Sequence, residues 1–231
     1  MTERAGPPVA PSDAAADPPA EPGAAEVAPG LHAHWRARAA TFHEELVAQR
    51  GEGWQAFWGS RDSQRVRYEV LMAELPLHGA AVLEVGCGFG DFLEHAAAQG
   101  VRPGRYFGVD LSPRIVAAAQ RRHPAAEFAV LDVLHAEPPL QPDFIIASGI
   151  MAVAVDGYSE YVLRALRRFH ALGRRGFGLN FLSTCTSRPD GVSQYVEPAW
   201  LLGLFQRQID WRCRLIHDYR PNDFTLIHRR T

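Results

Sequence analysis

Three glycines at alternate positions, preceded by an acidic residue, are the feature of this 231-residue chain best suited to holding a ligand. They are Gly86, Gly88 and Gly90, and Glu84 precedes them by two residues. Glycine adopts positive φ angles easily and lets the backbone approach a bound group closely. The dinucleotide fingerprint G-x-G-x-x-G needs a glycine where this chain has Asp91, and a Walker A loop needs a lysine, which the chain lacks.

Two further acids follow the next two apolar segments. Asp110 lies twenty residues after Gly90, and Asp132 follows the segment after that. A carboxylate at the first position can accept hydrogen bonds from both hydroxyls of a ribose. An acid beside the glycine turn suits an amino group, and one at the third strand end suits an adenine edge. Together the three acids indicate a positively charged nucleoside rather than a diphosphate.

The elements that must position these residues alternate between strands and helices after residue 80. Apolar runs predict strands at 81–85, 106–110, 128–131, 144–148 and 176–182. Ser112 followed by Pro113 is typical of a helix start. The chain ends with two strands around the turn "RPND", an antiparallel hairpin. This order predicts an α/β fold: a doubly wound, seven-stranded, mostly parallel sheet with a reversed last strand and helices on both faces.

Composition excludes several classes of protein. The net charge is −2, so we expect no general attraction to nucleic acid. No apolar run approaches the roughly 18–20 residues that span a bilayer, and no secretory signal is recognisable. The three cysteines are far apart and form no Cys-x-x-Cys pair, so we predict neither a metal site nor a disulfide framework. We expect a cytoplasmic protein with no membrane partner.

The quoted segments resemble those of a known family. "VLEVGCGFG" resembles motif I of the class I S-adenosylmethionine-dependent methyltransferases, and "YFGVDLSP" resembles the next motif. "FAVLDV", "PDFIIASGI" and the terminal hairpin "HDYRPNDFTLIHRR" occupy the later positions, so the resemblance covers roughly residues 60–231. It implies S-adenosylmethionine as cofactor. We divide the chain into a disordered Pro- and Ala-rich tail (1–30), an N-terminal helical cap (31–75) and a methyltransferase domain (76–231).

For the adenosine half of the cofactor, the resemblance implies four contacts. Asp110 would hold the ribose hydroxyls, and Leu111 would pack near the adenine. Asp132 and Val133 would contact the adenine ring itself. These residues follow the second and third predicted strands, where parallel sheets of this kind bind ligands.

For the methionine half, the resemblance implies that the three glycines lie along the methionyl chain. Glu84 would organise the glycine turn and its ammonium contacts, and Ser148 and Gly149 would line the side of the transferred methyl group. A polar face on the helix "SQRVRYEVL" can reach the carboxylate, and Arg67, with Gln64, is the candidate there.

The fourth strand leads into Ser148-Gly149-Ile150 instead of an Asn/Asp-Pro-Pro-Tyr/Phe tetrad, which argues against nucleobase amines and protein glutamines as acceptors. We therefore predict methyl transfer to a small molecule, in a pocket formed with residues 32–75 and 183–200. A protein or RNA methyltransferase, a non-catalytic cofactor-binding module and, distantly, a dehydrogenase with an atypical glycine turn stay as alternatives.

Four residues are candidates for proton transfer: His43, Asp156, Tyr195 and His217. Their spacing in the sequence does not select one of them as the catalytic residue. The sequence does not predict an oligomeric state.

Overall fold

The computed structural model describes residues 31–187 and 189–230, so the predicted disordered tail lies outside the described residues. The helices are α1 (Leu31–Arg50), α2 (Arg61–Glu74), α3 (Asp91–Ala98), α4 (Pro113–Arg122), α5 (Tyr158–Leu172) and α6 (Pro198–Gln208). The strands are β1 (Ala81–Val85), β2 (Arg105–Asp110), β3 (Glu127–Val130), β4 (Phe144–Ala147), β5 (Gly176–Ser183), β6 (Tyr195–Val196), β7 (Cys213–Arg220) and β8 (Asp223–Arg229).

The main sheet has the strand order β3-β2-β1-β4-β5-β8-β7. Its first five strands run parallel, and β8 runs antiparallel to both β5 and β7. The predicted α/β sheet with a reversed last strand is therefore confirmed. The prediction missed β6, a two-residue strand that pairs with the end of β5 and lies off the main path.

Both faces of the sheet are buried, as expected for parallel strands covered by helices. Val82 and Leu83 are adjacent in β1 and both fully buried, but they contact different hydrophobic clusters. The cluster around Val82 includes side chains of α2, α3 and α4, whereas that around Leu83 includes α5 and α6. Leu71 of α2 packs against Gly178 of β5, so α2 belongs to one of the two helical layers.

Helix α1 lies across the carboxyl ends of the strands rather than on a face of the sheet. Its buried side chains are Trp35 and Val47. The Trp35 indole N–H donates to the carbonyl oxygen of Asp156 at 2.7 Å, and Val47 packs beside Phe89 and Ile115. Ligands of doubly wound sheets bind at this edge, so α1 covers the place where a site is expected.

Candidate functional site

The glycine turn, residues 86–90, connects β1 to α3 in a conformation that side chains disfavour. The φ angles of Gly86, Gly88 and Gly90 are +70°, +53° and +79°. A Cβ atom on Gly86 would lie 2.1 Å from Cγ2 of Ile150, so this position also lacks the space for a side chain. The Gly86 N–H donates to the carbonyl oxygen of Val109 at 2.8 Å, which fixes the turn to β2. The conformation and the close neighbours of the turn therefore both require glycine.

Asp110 ends β2 directly beside this turn. Its Oδ2 accepts a hydrogen bond from the Gly88 N–H at 3.3 Å, and its Oδ1 accepts one from the Ser112 N–H at 3.1 Å. Each carboxylate oxygen can accept a further hydrogen bond. The structure therefore brings Asp110 and the glycine turn together with acceptor capacity left for a ligand.

Glu84 lies beneath the turn, within the sheet. It is buried, and the Tyr106 hydroxyl donates a short hydrogen bond to its Oε2. Burial raises the pKa of Glu84 to about 8, and the negative charges of Asp91 and Asp110 act in the same direction. Glu84 is therefore a carboxylic acid at neutral pH, and it supports the turn from below without lining the cavity above it.

Asp132 and its neighbours lie under α1. Its Oδ2 is 2.8 Å from Nε2 of His32 in α1, and its Oδ1 accepts from the Leu134 N–H at 3.0 Å. Together with Leu111 and Val133, Asp132 lines a cavity of about 70 Å³ beneath the helix. That volume is well below the roughly 300–1,000 Å³ of ordinary small-molecule sites, so α1 leaves little room here.

A larger cavity of about 520 Å³ opens above the glycine turn, within the usual range for small-molecule sites. Asp110, Gly86, Ile150 and His43 line both cavities, which makes the two spaces neighbours. The walls of the larger one come from α1, the link to α2, α2 itself, the segment after β4 and the loop after β5. Its lining includes Phe57, Trp58, Ser63, Gln64, Arg67, Ser148, Gly149, Asn180, Tyr195 and Arg220.

Arg67 lines this cavity, but protein groups already occupy most of its guanidinium. Nε and Nη2 both donate to Oδ1 of the fully buried Asp223 in β8, the former at 3.1 Å and the latter in a shorter contact. Nη1 donates to the carbonyl oxygen and the hydroxyl of Ser63 at 3.1 and 3.0 Å. The guanidinium carbon lies 4.5 Å from the ring centre of Trp58.

Gln64 is held in a similar way. Its Nε2 donates to Oδ2 of Asp91 at 2.9 Å, and its Oε1 accepts from Arg61 at 3.1 Å. The two predicted α2 residues therefore face the cavity while their polar groups brace α2 against β8 and α3.

Ser148 and Gly149 are positioned by Asn180 of β5. The Asn180 Oδ1 accepts from the Ser148 hydroxyl and from the Gly149 N–H, both at 3.0 Å. Gly149 has a φ of +88°, and a Cβ atom there would lie 3.2 Å from the Trp58 ring. The segment after β4 is thus pinned between the sheet and the link that precedes α2.

The structure separates the four candidate proton-transfer residues. His43 and Tyr195 line the larger cavity, whereas Asp156 and His217 line neither this cavity nor the smaller one. Burial lowers the pKa of His43, although the negative charge of Asp110 opposes that shift. The Tyr195 hydroxyl accepts a hydrogen bond from the Asp190 N–H at 3.1 Å.

Several lining residues were not selected from the sequence. Phe57 stacks on Phe89 with ring centres 5.5 Å apart, and Ser63 and Arg220 reach the cavity from α2 and the terminal hairpin. The only available signal was the Gly- and Trp-rich link "GEGWQAFWGS", which marks a segment with unusual packing needs.

Comparisons with known proteins agree with this geometry. A family profile described as a methyltransferase domain matches residues 82–173. The methyltransferase-like protein Rv1506c of Mycobacterium tuberculosis is 29% identical over 156 residues, 65% of this chain and 93% of that protein. Together with the strand order of the sheet, these matches support a class I S-adenosylmethionine-dependent methyltransferase.

Solved structures extend the likeness of this methyltransferase beyond the matched segment. DhpI, in a complex described as DhpI-SAM-HEP, superposes with a TM-score of 0.62 at 18% identity, over 87% of this chain and 99% of its own. Magnesium protoporphyrin IX methyltransferase from Synechocystis PCC 6803, with bound S-adenosylhomocysteine, gives 0.59 at 14% identity over 84% and 99%. At these identities the likeness is one of fold.

The matched segment of the methyltransferase contains the glycine turn, Asp110 and Asp132, but not α1, α2 or the hairpin that complete the larger cavity. Among the described residues, no helix of the enzyme is long and apolar enough to cross a membrane.

Proposed function

We propose that this methyltransferase transfers the methyl group of S-adenosylmethionine to a small-molecule acceptor bound in the larger cavity. The observation that carries the proposal is that the glycine turn and Asp110 open into the same walled space of about 520 Å³. Three sides of that space come from α1, the link and the loop after β5. A cavity of this size, walled on these sides, suits a cofactor and a small acceptor, whereas a folded protein or RNA needs a broad and, for RNA, basic surface.

The residues fit an adenosyl cofactor by their donor and acceptor chemistry. Asp110 keeps acceptor capacity for two ribose hydroxyls, and Gly86 and Gly88 line the cavity beside it without side chains. Leu111 and Val133 supply apolar contact for the adenine, and Asp132 an acceptor for its amino group. Ser148 and Gly149 face the methyl-donor side.

We assign Glu84 a supporting role, because it lies under the turn. Arg67 could offer its remaining Nη2 hydrogen to the cofactor carboxylate, although its main partner is Asp223.

When bound, S-adenosylmethionine supplies a methyl group that is already activated on a sulfonium. The chain's own task is then to align the acceptor and exclude water, which can lower the barrier by several kcal/mol. Trp58 and Phe57 also wall the cavity, and Phe57 stacks on Phe89 of the glycine turn. His43 is neutral near pH 7 because burial lowers its pKa, so it can accept a proton from an acceptor that must lose one.

The acceptor class is supported by relatives of known name. Magnesium protoporphyrin IX methyltransferase acts on a small molecule by its name. A trans-aconitate 2-methyltransferase of Methylobacterium nodulans is 34% identical over 82 residues, although these span only 31% of that protein. Both point to small-molecule acceptors without naming one for this enzyme.

Calorimetric titration with S-adenosylmethionine and S-adenosylhomocysteine tests the cofactor site. We expect micromolar binding that weakens about tenfold or more in Asp110→Ala, the loss of one or two good hydrogen bonds. Asp156→Ala is the matched control, because its carboxylate is exposed and lies outside both cavities. Unchanged binding in Asp110→Ala, or none in the folded wild type, would contradict the assignment.

The acceptor class is tested with radiolabelled cofactor and a cell extract. Label in a low-molecular-mass product that chromatography separates from the unreacted cofactor supports the proposal. Label confined to protein or RNA would replace it with the corresponding macromolecular activity.

A further inference from the structure

A second group of chemically active side chains lies at the edge of the sheet opposite the cofactor cavity. It consists of His170 near the end of α5, Asp210 after α6 and His228 in β8. His228 pairs in register with Phe177, at the start of β5, whereas the cavity is lined by residues 180–182 farther along the same strand. The group is therefore separate from the site that the proposed function uses.

The distances within this group do not suit hydrogen bonds. Oδ2 of Asp210 lies 3.8 Å from Nε2 of His170 and 3.9 Å from Nε2 of His228. Both exceed the hydrogen-bonding range. Ligand atoms at about 2.0–2.2 Å from a tetrahedral zinc ion are roughly 3.3–3.6 Å apart. The three ligand atoms of this group all lie within 4.8 Å of one another, so shifts of about an ångström or less would convert the group into a coordination set.

The state of His228 points to a ligand. Its side chain is fully buried, and its Nε2 has no hydrogen-bond partner. Its Nδ1 lies 2.7 Å from the carbonyl oxygen of Arg212, and donation there places the lone pair on Nε2, facing Asp210. A backbone carbonyl that orients an imidazole in this way is the usual second interaction of a metal-binding histidine. The ring centres of Phe177 and Phe205 lie 5.6 and 5.5 Å from that of His228, so its imidazole packs among apolar rings.

Charged neighbours restrict which cation the group can hold. Arg212 donates to both oxygens of Asp210, and Arg230 lies 3.4 Å from Nδ1 of His170 and also donates to its carbonyl oxygen. These guanidinium groups weaken the attraction of Asp210 for a hard cation such as Mg²⁺ or Ca²⁺. Two neutral imidazoles then carry most of the affinity, and imidazole favours zinc and its neighbours in the first transition series.

We propose that His170, Asp210 and His228 form a structural site for a divalent transition metal, with Zn²⁺ the best fit. The ion would join α5, the segment after α6 and the reversed strand β8. The side chain of His170 is 29% exposed, which gives the ion an entry path and leaves a fourth position for water.

Zinc titration of the full, untagged chain after chelator treatment tests the site. We expect one Zn²⁺ per chain in the wild type, and binding at least about 100-fold weaker in His170→Asn, since a direct ligand should matter no less than a second-shell partner. His170 is the residue to change because it is partly exposed, so its variant should fold, which circular dichroism checks. His135→Asn is the matched control, because His135 is an exposed member of the other His/Asp/His group, with His32 and Asp132.

Each result of this titration either supports the metal site or contradicts it. Zinc that raises the melting temperature of the wild type and of His135→Asn, but not of His170→Asn, supports the site. Substitution with Co²⁺ should give visible absorption without a thiolate charge-transfer band. The proposal is overturned if the wild type binds no metal, if His170→Asn binds as the wild type does, if His135→Asn loses the metal instead, or if a thiolate band shows that a cysteine holds it.

Discussion

The glycine turn and the N-terminal wall (α1, residues 51–60 and α2) both line the larger cavity, but different interactions hold them in place. The turn is fixed by backbone conformation and by hydrogen bonds to β2. The wall is fixed by side chains that reach distant elements, such as Arg67 to Asp223 and His32 to Asp132. The part that suits a common cofactor is thus built locally, whereas the part that would select an acceptor depends on long-range contacts.

The largest effect should come from breaking the wall's buried ion pair. Arg67→Leu leaves Asp223 buried without its cation, and we expect a loss of about 3–5 kcal/mol in the free energy of unfolding, measured by urea denaturation. Arg220→Ala is the control, because its pair with Asp62 involves a largely exposed carboxylate and should contribute at most about 1 kcal/mol. Equal losses in the two variants would show that burial does not distinguish these pairs.

A single added methyl group in the glycine turn should lower the free energy of unfolding. Gly86→Ala must adopt a φ of +70° and also meets Ile150, whereas Gly79→Ala has a φ of +72° in open space. We expect Gly79→Ala to lose about 1–2 kcal/mol from the backbone alone, and Gly86→Ala to lose about 1–3 kcal/mol more. Thermal denaturation measures both. Similar losses in the two variants would mean that the Ile150 side chain moves aside easily, so that its contact with the added Cβ atom of residue 86 does not destabilise the protein.

Glu84 gives the region under the turn a pH-dependent stability. Its pKa is about 8 in the folded chain against 4.5 for an ordinary glutamate, so the folded state holds the proton more tightly. The resulting stability is complete below about pH 4.5 and is lost as pH rises through 8. We expect this to remove about 2 kcal/mol between pH 5 and 7. Glu84→Gln should flatten the pH profile of unfolding relative to the wild type, and an unchanged slope would show that Glu84 is ionised in the folded protein.

The same contrast explains how much the sequence could predict. The predicted boundaries of β1 agree with the observed ones, because a strand buried on both faces has a continuous apolar sequence. The glycine turn and Asp110 were predicted to meet, because they end adjacent parallel strands. Strand β6 was missed, since its two residues pair only with the end of β5.

The wall was less predictable. The partners Arg67 and Asp223 are 156 positions apart, and His32 and Asp132 are 100 apart, so no local pattern connects them. Arg67 was selected for its residue type and its position on the helix. Most of its hydrogen bonds, however, go to Asp223 and Ser63. The histidines of the proposed metal site are likewise far apart in sequence and carry no ligand spacing that could have been recognised.

The smallest effect concerns the contact between α1 and Asp132. The small cavity under α1 holds about 70 Å³, so an adenine that reaches Asp132 must displace the helix and its His32. His32→Ala removes one partly exposed hydrogen bond, and we expect it to cost less than about 1 kcal/mol of unfolding free energy. Because the ligand then has less to displace, calorimetry should show S-adenosylmethionine affinity unchanged or raised by about threefold. A clear fall in affinity would mean that His32 contacts the bound cofactor, and that α1 closes on the ligand instead of yielding to it.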